Sequence, residues 1–188
     1  MGKGRVETVR RVSLVLVMMV VALIVGSGVA VAAVKLGTEG RDFLAGTASE
    51  DVLYGRGGSD GLAGKGDDDV LYGGDGGDFM HGGGFGFSSS PDGEDKLFGG
   101  DGSDCLFGGS EDDVVIGGSG NDFMGFYCFD FVFDKGNDVF YGGGGNDDII
   151  AFEGGSKRDL VFCGAGRDTV YYQKGVDRLF DCERKFSV

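Results

Sequence analysis

Residues 64–81 read GKGDDDVLYGGDGGDFMH and consist of two nine-residue units with the same pattern. In each unit an aspartate, Asp69 or Asp78, closes a glycine-rich run and stands two places before an apolar residue, Leu71 or Met80. A period of nine is neither that of a helix nor that of a heptad repeat. The stretch therefore predicts short strands joined by glycine turns.

The same unit recurs along most of the chain. The spacing of nine is kept by the aspartates Asp42, Asp51, Asp60, Asp69 and Asp78, and again by Asp95, Asp104, Asp113 and Asp122. Apolar residues follow two places later at Leu44, Leu53, Leu62, Leu71 and Met80, and then at Leu97, Leu106, Val115 and Met124. Alternate residues of a strand point to opposite faces. Each unit is therefore interpreted as a six-residue turn ending in Asp, followed by a three-residue strand whose middle residue points inward.

Composition narrows the function. The 188 residues fit a single domain, and the 41 glycines follow no three-residue period, which excludes collagen and indicates a fold built from turns. The formal net charge is -14. A surface this acidic repels phosphate, so nucleic acid is excluded as a partner and cations are favoured.

Three units match the nonapeptide G-G-x-G-x-D-x-U-x most fully, namely Gly73–His81, Gly99–Phe107 and Gly117–Gly125. In these units the chain resembles the hemolysin-type, or repeats-in-toxin (RTX), calcium-binding family. The resemblance implies an all-β fold, a right-handed parallel β-roll (β-solenoid) in which each nonapeptide forms half a turn, with an irregular C-terminal cap. It also implies calcium as the cofactor, bound between loops that stack on the same side.

The residues support this chemistry independently. Calcium takes six to eight oxygen ligands, which glycine turns supply as backbone carbonyls and Asp supplies as carboxylates. With two units to a turn, Asp42, Asp60 and Asp78 stack on one side, and Asp51 and Asp69 stack on the other. Loops 55–60 and 73–78 keep glycine at the fourth place, whereas loops 46–51, 64–69 and 108–113 replace it and gain carboxylates. We expect one glycine-rich ion ladder and one acid-rich, less regular ladder. A solvated acidic edge is the alternative for the second.

The candidate metal ligands are loop residues that offer a carboxylate, a hydroxyl or a backbone carbonyl. They are Asp42, Asp51, Gly55, Gly57, Asp60, Gly64, Gly66, Asp69, Gly73, Asp75, Asp78, Asp95, Gly99, Asp101, Asp104, Asp113, Gly117, Ser119, Asp122, Asp138 and Asp147.

The repeat degrades in three places. Residues 82–90 are interpreted as a half-turn in which Phe87 replaces the aspartate, and the spacing drops to eight across residues 122–138. Loops 154–159 and 163–168 carry Lys and Arg beside the expected ligands, so these last turns are predicted to be calcium-free. The predicted organisation is a first repeat block over 34–81, an irregular loop over 82–92, a second block over 93–150, and degenerate repeats with a disulfide-stapled cap over 151–188.

Four cysteines in an exported chain suggest disulfides. Cys163 and Cys182 are 19 residues apart, close to the 18 of one full turn, so we expect them on adjacent rungs and bonded. Cys105 and Cys128 pair only as the remainder. Free thiols are the alternative for all four.

Residues 1–33 have the order of a secretory signal peptide, with basic residues, then an apolar run, then small residues ending in a cleavage site after Ala32 or Ala33. A retained anchor helix is the alternative. Cleavage predicts a secreted, extracellular protein with no membrane contact.

No catalytic constellation is evident, so the chain is not expected to be an enzyme. Residues 57–61 formally match G-x-S-x-G but lie inside a glycine loop, where a nucleophile elbow would need a strand before it and a helix after it. His81 is the only histidine and is interpreted as a partly exposed strand residue.

Aromatic and branched residues flank many inward positions, among them Phe43, Tyr54, Phe79 and Tyr141. Such residues suit any pleated surface, but they also form an apolar face that binds a glycan, a protein or a second copy. Two main functions remain: a calcium-binding structural protein whose folding is driven by calcium, and an adhesion module that uses this face. A remnant of a secreted hydrolase is a weaker third.

Overall fold

The computed structural model describes residues 32–84, 92–125, 136–152 and 156–188. The expected export segment over residues 1–33 therefore lies almost wholly outside the described part of the chain. The described residues contain no helix that is long and apolar enough to cross a membrane.

The described residues form strands that alternate between two sheets. The strands are β1 (Val34–Leu36), β2 (Phe43–Ala45), β3 (Val52–Gly57), β4 (Gly61–Lys65), β5 (Val70–Asp75), β6 (Phe79–Gly83), β7 (Lys96–Asp101), β8 (Cys105–Phe107), β9 (Val114–Ser119), β10 (Phe123–Met124), β11 (Val139–Gly145), β12 (Asp148–Ala151), β13 (Leu160–Gly166), β14 (Thr169–Tyr172), β15 (Arg178–Phe180) and β16 (Arg184–Ser187). Odd-numbered strands form one eight-stranded sheet, the odd sheet, and even-numbered strands form the other, the even sheet. Because every chain segment passes from one sheet to the other, the fold is a coil of two-strand rungs.

All strand pairs are parallel, and equivalent residues of successive units lie side by side. In the odd sheet Leu53 pairs with Leu71, which in turn pairs with Leu97. In the even sheet Leu62 pairs with Met80. These inward residues are fully buried and form one continuous core between the sheets. The predicted all-β parallel β-roll is confirmed.

The strands of the odd sheet are longer than predicted. They run for six or seven residues from β3 to β13, so each continues into the glycine loop. Gly74 pairs with Gly100, and Gly100 pairs with Gly118, although all three have φ between 110° and 116°. Glycine adopts this backbone conformation without a steric penalty, and stacked loops with the same conformation keep pairing. The predicted three-residue strand therefore ends too early on this side of the roll.

The irregular segments of the sequence all fall between an even strand and the next odd strand. β5 pairs directly with β7, and β6 pairs directly with β8, so no half-turn separates them. The interpretation of residues 82–90 as a half-turn with Phe87 in the place of Asp is therefore wrong. The segment belongs instead to the single connection from β6 to β7. Phe87 itself lies outside the described residues. Longer connections also follow β10 and β12, again between an even strand and the next odd strand.

The predicted disulfide between Cys163 and Cys182 is confirmed. The two Cα atoms are 5.1 Å apart, as expected for adjacent rungs. The bond joins Cys163, in the middle of β13, to Cys182, which follows β15. Cys105 on β8 is also disulfide-bonded, whereas Cys128 lies outside the described residues.

Two outward-pointing positions of the even sheet are buried, contrary to expectation. His81 is 6% exposed and Phe107 is 3% exposed. Their rings contact edge to face with centroids 4.6 Å apart. The interpretation of His81 as a partly exposed residue is therefore wrong. Burial lowers the pKa of its imidazole to about 4, which keeps the ring neutral near pH 7.

Candidate metal centre

The loop-closing aspartates stack in two rows, one on each side of the roll. The glycine-rich ladder contains Asp42, Asp60, Asp78, Asp104, Asp122, Asp147 and Asp168. The acidic ladder contains Asp51, Asp69, Asp95, Asp113, Asp138, Asp159 and Asp177. Within each ladder the Oδ1 of one aspartate accepts the backbone N–H of the aspartate one rung before it, at 2.7–3.2 Å. The predicted division of Asp60 and Asp78 from Asp51 and Asp69 is confirmed.

The second carboxylate oxygen is the unusual feature of these ladders. Among the described residues, the Oδ2 atoms of eight ladder aspartates are buried without a hydrogen-bond partner: Asp60, Asp69, Asp78, Asp95, Asp104, Asp122, Asp147 and Asp168. A buried carboxylate oxygen without a partner is costly, because it has lost its water and gained nothing in exchange. A row of such oxygens indicates that another positive or donor group belongs beside them.

The aspartates near the ends of the ladders differ. The Oδ2 of Asp42 accepts the Thr38 N–H at 2.5 Å, and that of Asp177 accepts the Gln173 N–H at 2.5 Å. The Oδ2 of Asp51 accepts the Thr47 N–H, while its Oδ1 accepts the Ala33 N–H. Backbone amides thus satisfy these terminal carboxylates, which leaves the inner rungs as the stronger candidates for a cation.

The space beside each Oδ2 is kept open by the glycine at the first place of the loop. A Cβ built on Gly55 would lie 2.5 Å from the Oδ2 of Asp60 and 2.5 Å from the carbonyl oxygen of Gly73. Gly73, Gly99, Gly117 and Gly142 face the equivalent pair of oxygens. These cradles therefore bring a carboxylate oxygen and a backbone carbonyl oxygen of neighbouring rungs together, with no side chain between them.

The last loop of the glycine-rich ladder lacks this opening. Cys163 stands at the first place of loop 163–168, so its side chain and its disulfide occupy room that glycine leaves free in the preceding loops. Arg167, which is predicted to compete with a cation in this loop, is exposed, as are Lys157 and Arg158 in loop 154–159 of the acidic ladder. The stronger obstacle in this loop is thus the cysteine rather than the charge.

The fourth place of the loop is restricted to glycine on the glycine-rich ladder. Gly76, Gly102 and Gly120 have φ of 128°, 141° and 125°, and a Cβ on any of them would overlap the carbonyl of the equivalent glycine one rung before. The acidic ladder has Asp67 and Glu111 at this place, with φ of 67° and 82°. Non-glycine residues are strained in this region. The acid-rich loops are therefore less regular, as predicted.

Burial changes the charge state of the ladders. Desolvation by burial, reinforced by neighbouring carboxylates, raises the pKa of Asp95 to about 9 and that of Asp69 to about 7. On the other ladder the pKa of Asp104 rises to about 7 and that of Asp147 to about 6, with burial again the main cause. Without a counter-charge these groups hold protons that an exposed aspartate would have lost.

The described residues contain no group of three or more His, Cys, Asp or Glu side chains placed to hold a metal ion. The oxygens that these loops offer to an ion are backbone carbonyls together with one or two carboxylates. An all-oxygen site built largely from carbonyls suits calcium. A family model described as the RTX calcium-binding nonapeptide repeat (4 copies) matches residues 36–71, 62–85, 92–124, 134–151 and 152–179, more than half of the chain.

The chain belongs to this RTX family. Its repeats bind calcium, and the open cradles beside the buried Oδ2 atoms fit that ion. No curated protein matches the chain. The RTX roll is typically a structural module rather than a catalytic one. In agreement, residues 57–61 lie in an RTX loop between β3 and β4 with no helix after them, so the G-x-S-x-G match does not form a nucleophile elbow.

The remaining predicted ligands of the RTX loops differ in what they can offer. Asp75, Asp101 and Ser119 occupy the third place, their side chains are exposed, and the Ser119 hydroxyl donates to Asp101 Oδ1 at 2.6 Å. Their carbonyls accept backbone N–H groups from the neighbouring rung at 2.7–2.8 Å. Gly57 lies in the same stack of loops, whereas Gly64 and Gly66 lie in loop 64–69 of the acidic ladder, and all three contribute only backbone.

Sequence analysis missed two buried carboxylates. Asp92 is 8% exposed, and its Oδ1 accepts the Ser110 N–H at 3.0 Å. Burial raises its pKa. Gly93, two places before Asp95, was the available signal, because it holds the fourth place of the interrupted loop with φ of 102°. The prediction that loop 163–168 is calcium-free leaves out Asp168, yet the Asp168 carboxylate is buried within the ladder.

Proposed function

We propose that this chain is an exported, calcium-binding structural protein whose folding is driven by calcium. The observation that carries the proposal is the pair of ladders in which buried Oδ2 atoms have no partner among the described residues. In the RTX roll these oxygens recur on successive rungs, which lie about 4.8 Å apart. Like charges at such spacing oppose folding unless they are protonated or neutralised.

The proposed ligands are the carboxylates of the inner rungs together with loop carbonyls. The Oδ2 of Asp60, Asp78, Asp104, Asp122 and Asp147 faces the cradles of the glycine-rich ladder, and that of Asp69 and Asp95 faces those of the acidic ladder. Gly55, Gly73, Gly99 and Gly117 leave the space open. Asp113 and Asp138 hold equivalent places in the acidic ladder. When calcium is bound, the repulsion within a ladder is replaced by attraction to the ion, so binding energy becomes folding energy.

Export is supported by two features. Residues 1–33 have the order of a signal peptide, and the Cys163–Cys182 disulfide persists in oxidising compartments. RTX repeat proteins are typically exported as well. We therefore place the mature chain outside the cell, where calcium is abundant enough for sites with dissociation constants of about 10⁻⁴–10⁻³ M.

A calcium titration tests the proposal. The chain is dialysed against chelator, and its far-ultraviolet circular dichroism is followed as calcium is added, with magnesium at equal concentration as the control. We expect a cooperative gain of β-structure with calcium and a much weaker response to magnesium, which demands a tighter octahedral site. A chain that is equally folded in chelator, with unchanged thermal stability, would falsify calcium-driven folding.

The adhesion alternative finds less support in the aromatic residues. On the odd sheet Tyr54, Tyr72 and Phe98 form a stack with centroids 4.8 Å apart and interplanar angles of 4° and 11°. Phe162 stacks between Tyr141 and Phe180 in the same way. Each ring covers the face of its neighbour, so the row presents ring edges to solvent. Glycan recognition by stacking needs exposed ring faces, and this row is better explained by cross-strand packing.

A further inference from the structure

Within the described residues, the roll begins and ends in edge strands that pair on one side only. The odd sheet ends in β1 and β15, and the even sheet ends in β2 and β16. We call β1 and β2 the first end, and β15 and β16 the last end. Because all strands are parallel and the rungs repeat by translation, a second copy stacked on the last end would place its β1 beside β15 and its β2 beside β16. The same pairing pattern would continue across the junction.

Exposed apolar side chains gather at these ends. Among the described residues, the large hydrophobic side chains that are exposed are Val34, Leu36 and Phe43 at the first end, Tyr171, Phe180, Phe186 and Val188 on the last two rungs, and Tyr141 in between. In a stack of two copies Phe180 would lie beside Leu36, because both occupy the last place of their odd-sheet strand. The ends thus match in strand direction, spacing and apolar character.

The inward positions of the two end rungs break the apolar pattern. Lys35 pairs with Leu53, and Lys185 pairs with Val170, so each lysine occupies the middle, inward place of its strand. At the second to seventh rungs this place is occupied by the buried apolar residues of the core. The chain therefore has one inward lysine on an edge strand at each end.

Lys35 also makes a hydrogen bond across the first end. Its Nζ donates to the carbonyl oxygen of Ala45, across the mouth of the roll from β1 to β2. One rung further along, the equivalent carbonyl of Ala63 accepts the N–H of Gly46 at 2.7 Å. The lysine ammonium thus donates to a carbonyl that would accept a backbone N–H from a preceding rung.

We propose that the two ends fit each other as docking surfaces for a second copy of this chain, and that Lys35 and Lys185 prevent this stacking in the unchanged chain. In a stack, the Lys185 ammonium of one copy and the Lys35 ammonium of the next would both enter the dry space between the sheets. Burying two like charges without counter-ions is strongly unfavourable. Inward charges on edge strands are a recognised defence against edge-to-edge association.

Replacing both lysines with apolar residues should allow the copies to associate into an open-ended assembly. A head-to-tail contact related by translation does not close into a ring, so copies would add indefinitely to form filaments. Filaments built in this way would be one roll wide, with strands perpendicular to the filament axis and the rung spacing of about 4.8 Å along it.

The test compares K35L/K185L with the unchanged chain in saturating calcium, by sedimentation velocity over a range of concentrations and by negative-stain microscopy. The N-terminus of each sample is first read by mass spectrometry. The matched control is K96L, because Lys96 is exposed on β7 in the middle of the odd sheet and loses the same charge. A K35R/K185R variant keeps both charges, and circular dichroism checks that every variant is folded.

We expect the unchanged chain, K96L and K35R/K185R to remain monomeric. K35L/K185L should associate at a concentration at least about 100-fold lower than the unchanged chain would need, because two buried charges are removed from the junction. A folded K35L/K185L that remains monomeric over the whole range would overturn the proposal. Filaments of the unchanged chain, or of K96L, would also overturn it, since association would then not depend on the end lysines.

Discussion

Replacing Asp104 by Asn separates the two roles of a ladder carboxylate. The Oδ1 of Asp104 accepts the Asp78 N–H at 2.7 Å, and its Oδ2 is buried without a partner among the described residues. Asparagine keeps an oxygen for the Asp78 amide. It puts an NH₂ group, which cannot ligate a cation, in the place of Oδ2. The substitution therefore removes the proposed ligand while it retains the ladder hydrogen bond.

The sign of the effect should depend on calcium. At a calcium concentration about 100 times the dissociation constant, one site contributes about 2.7 kcal/mol to the free energy of unfolding, and D104N should lose most of it. In chelator near pH 8 the variant should instead be more stable than the unchanged chain by about 1 kcal/mol or more. The reason is that ionisation of Asp104, whose pKa is raised to about 7, no longer opposes folding.

Urea unfolding followed by circular dichroism, at pH 8 with saturating calcium and again with chelator, measures both differences. If the unchanged chain is unfolded in chelator, the comparison is made at the lowest calcium concentration at which both chains fold. The matched control is D148N, because Asp148 is exposed at the start of β12 and loses the same charge. It should change stability by less than about 0.5 kcal/mol in either condition. Equal destabilisation of D104N with and without calcium would refute the assignment of its Oδ2 as a ligand.

Three further predictions follow from the loops, the carboxylates and the cap. Gly145→Ala should lower the free energy of unfolding by at least about 3 kcal/mol, because φ of Gly145 is 146° and a Cβ would overlap the Gly120 carbonyl. Gly144→Ala is the control and should change it by less than about 0.5 kcal/mol, because nothing lies within 4 Å of the added Cβ. Similar urea midpoints for the two variants would contradict this. In chelator the folded state binds more protons than the unfolded state between pH 3.8, the ordinary pKa of Asp, and about 9, the raised pKa of Asp95. The free energy of unfolding should therefore fall as the pH rises through this range, by about 1.4 kcal/mol per pH unit for each retained proton. A melting temperature that rises from pH 5 to pH 8 in chelator would be the opposite of this expectation. Cys182→Ser opens a loop of 19 residues and should cost about 3 kcal/mol in saturating calcium, seen as a lower urea midpoint that is absent when both chains are measured in reductant.

Much of the fold could be read from one repeat. Asp78 and Met80 recur at a fixed period, and that period determines the inward face, the parallel stacking and the side of the roll on which each loop lies. The side assignment of Asp60, Asp69 and Asp78 was confirmed by their hydrogen bonds. Such a local pattern is informative because each rung contacts only its neighbours, so the sequence of one unit determines its own packing.

Register across the interruptions could not be read in this way. The alignment of Asp78 with Asp104, 26 residues later, depends on which strands pair beyond the long connection from β6 to β7. The spacing of 17 residues from Asp78 to Asp95 suggested an additional half-turn, but parallel pairing of β6 with β8 buries Met80 against Leu106 without one. Hydrogen bonding across rungs decides this alignment, and no single unit encodes it.

The sequence by itself determined the period of nine, the inward face and two unequal ladders, and its nonapeptides carry the resemblance that implies a calcium-binding RTX roll. The tertiary structure decided what each carboxylate experiences. Asp42 and Asp60 occupy the same place in the repeat, yet the Thr38 amide satisfies the Oδ2 of Asp42, whereas that of Asp60 is buried without a partner in the described chain. The difference arises because solvation and hydrogen bonding depend on the rungs above and below, which the repeat pattern does not contain.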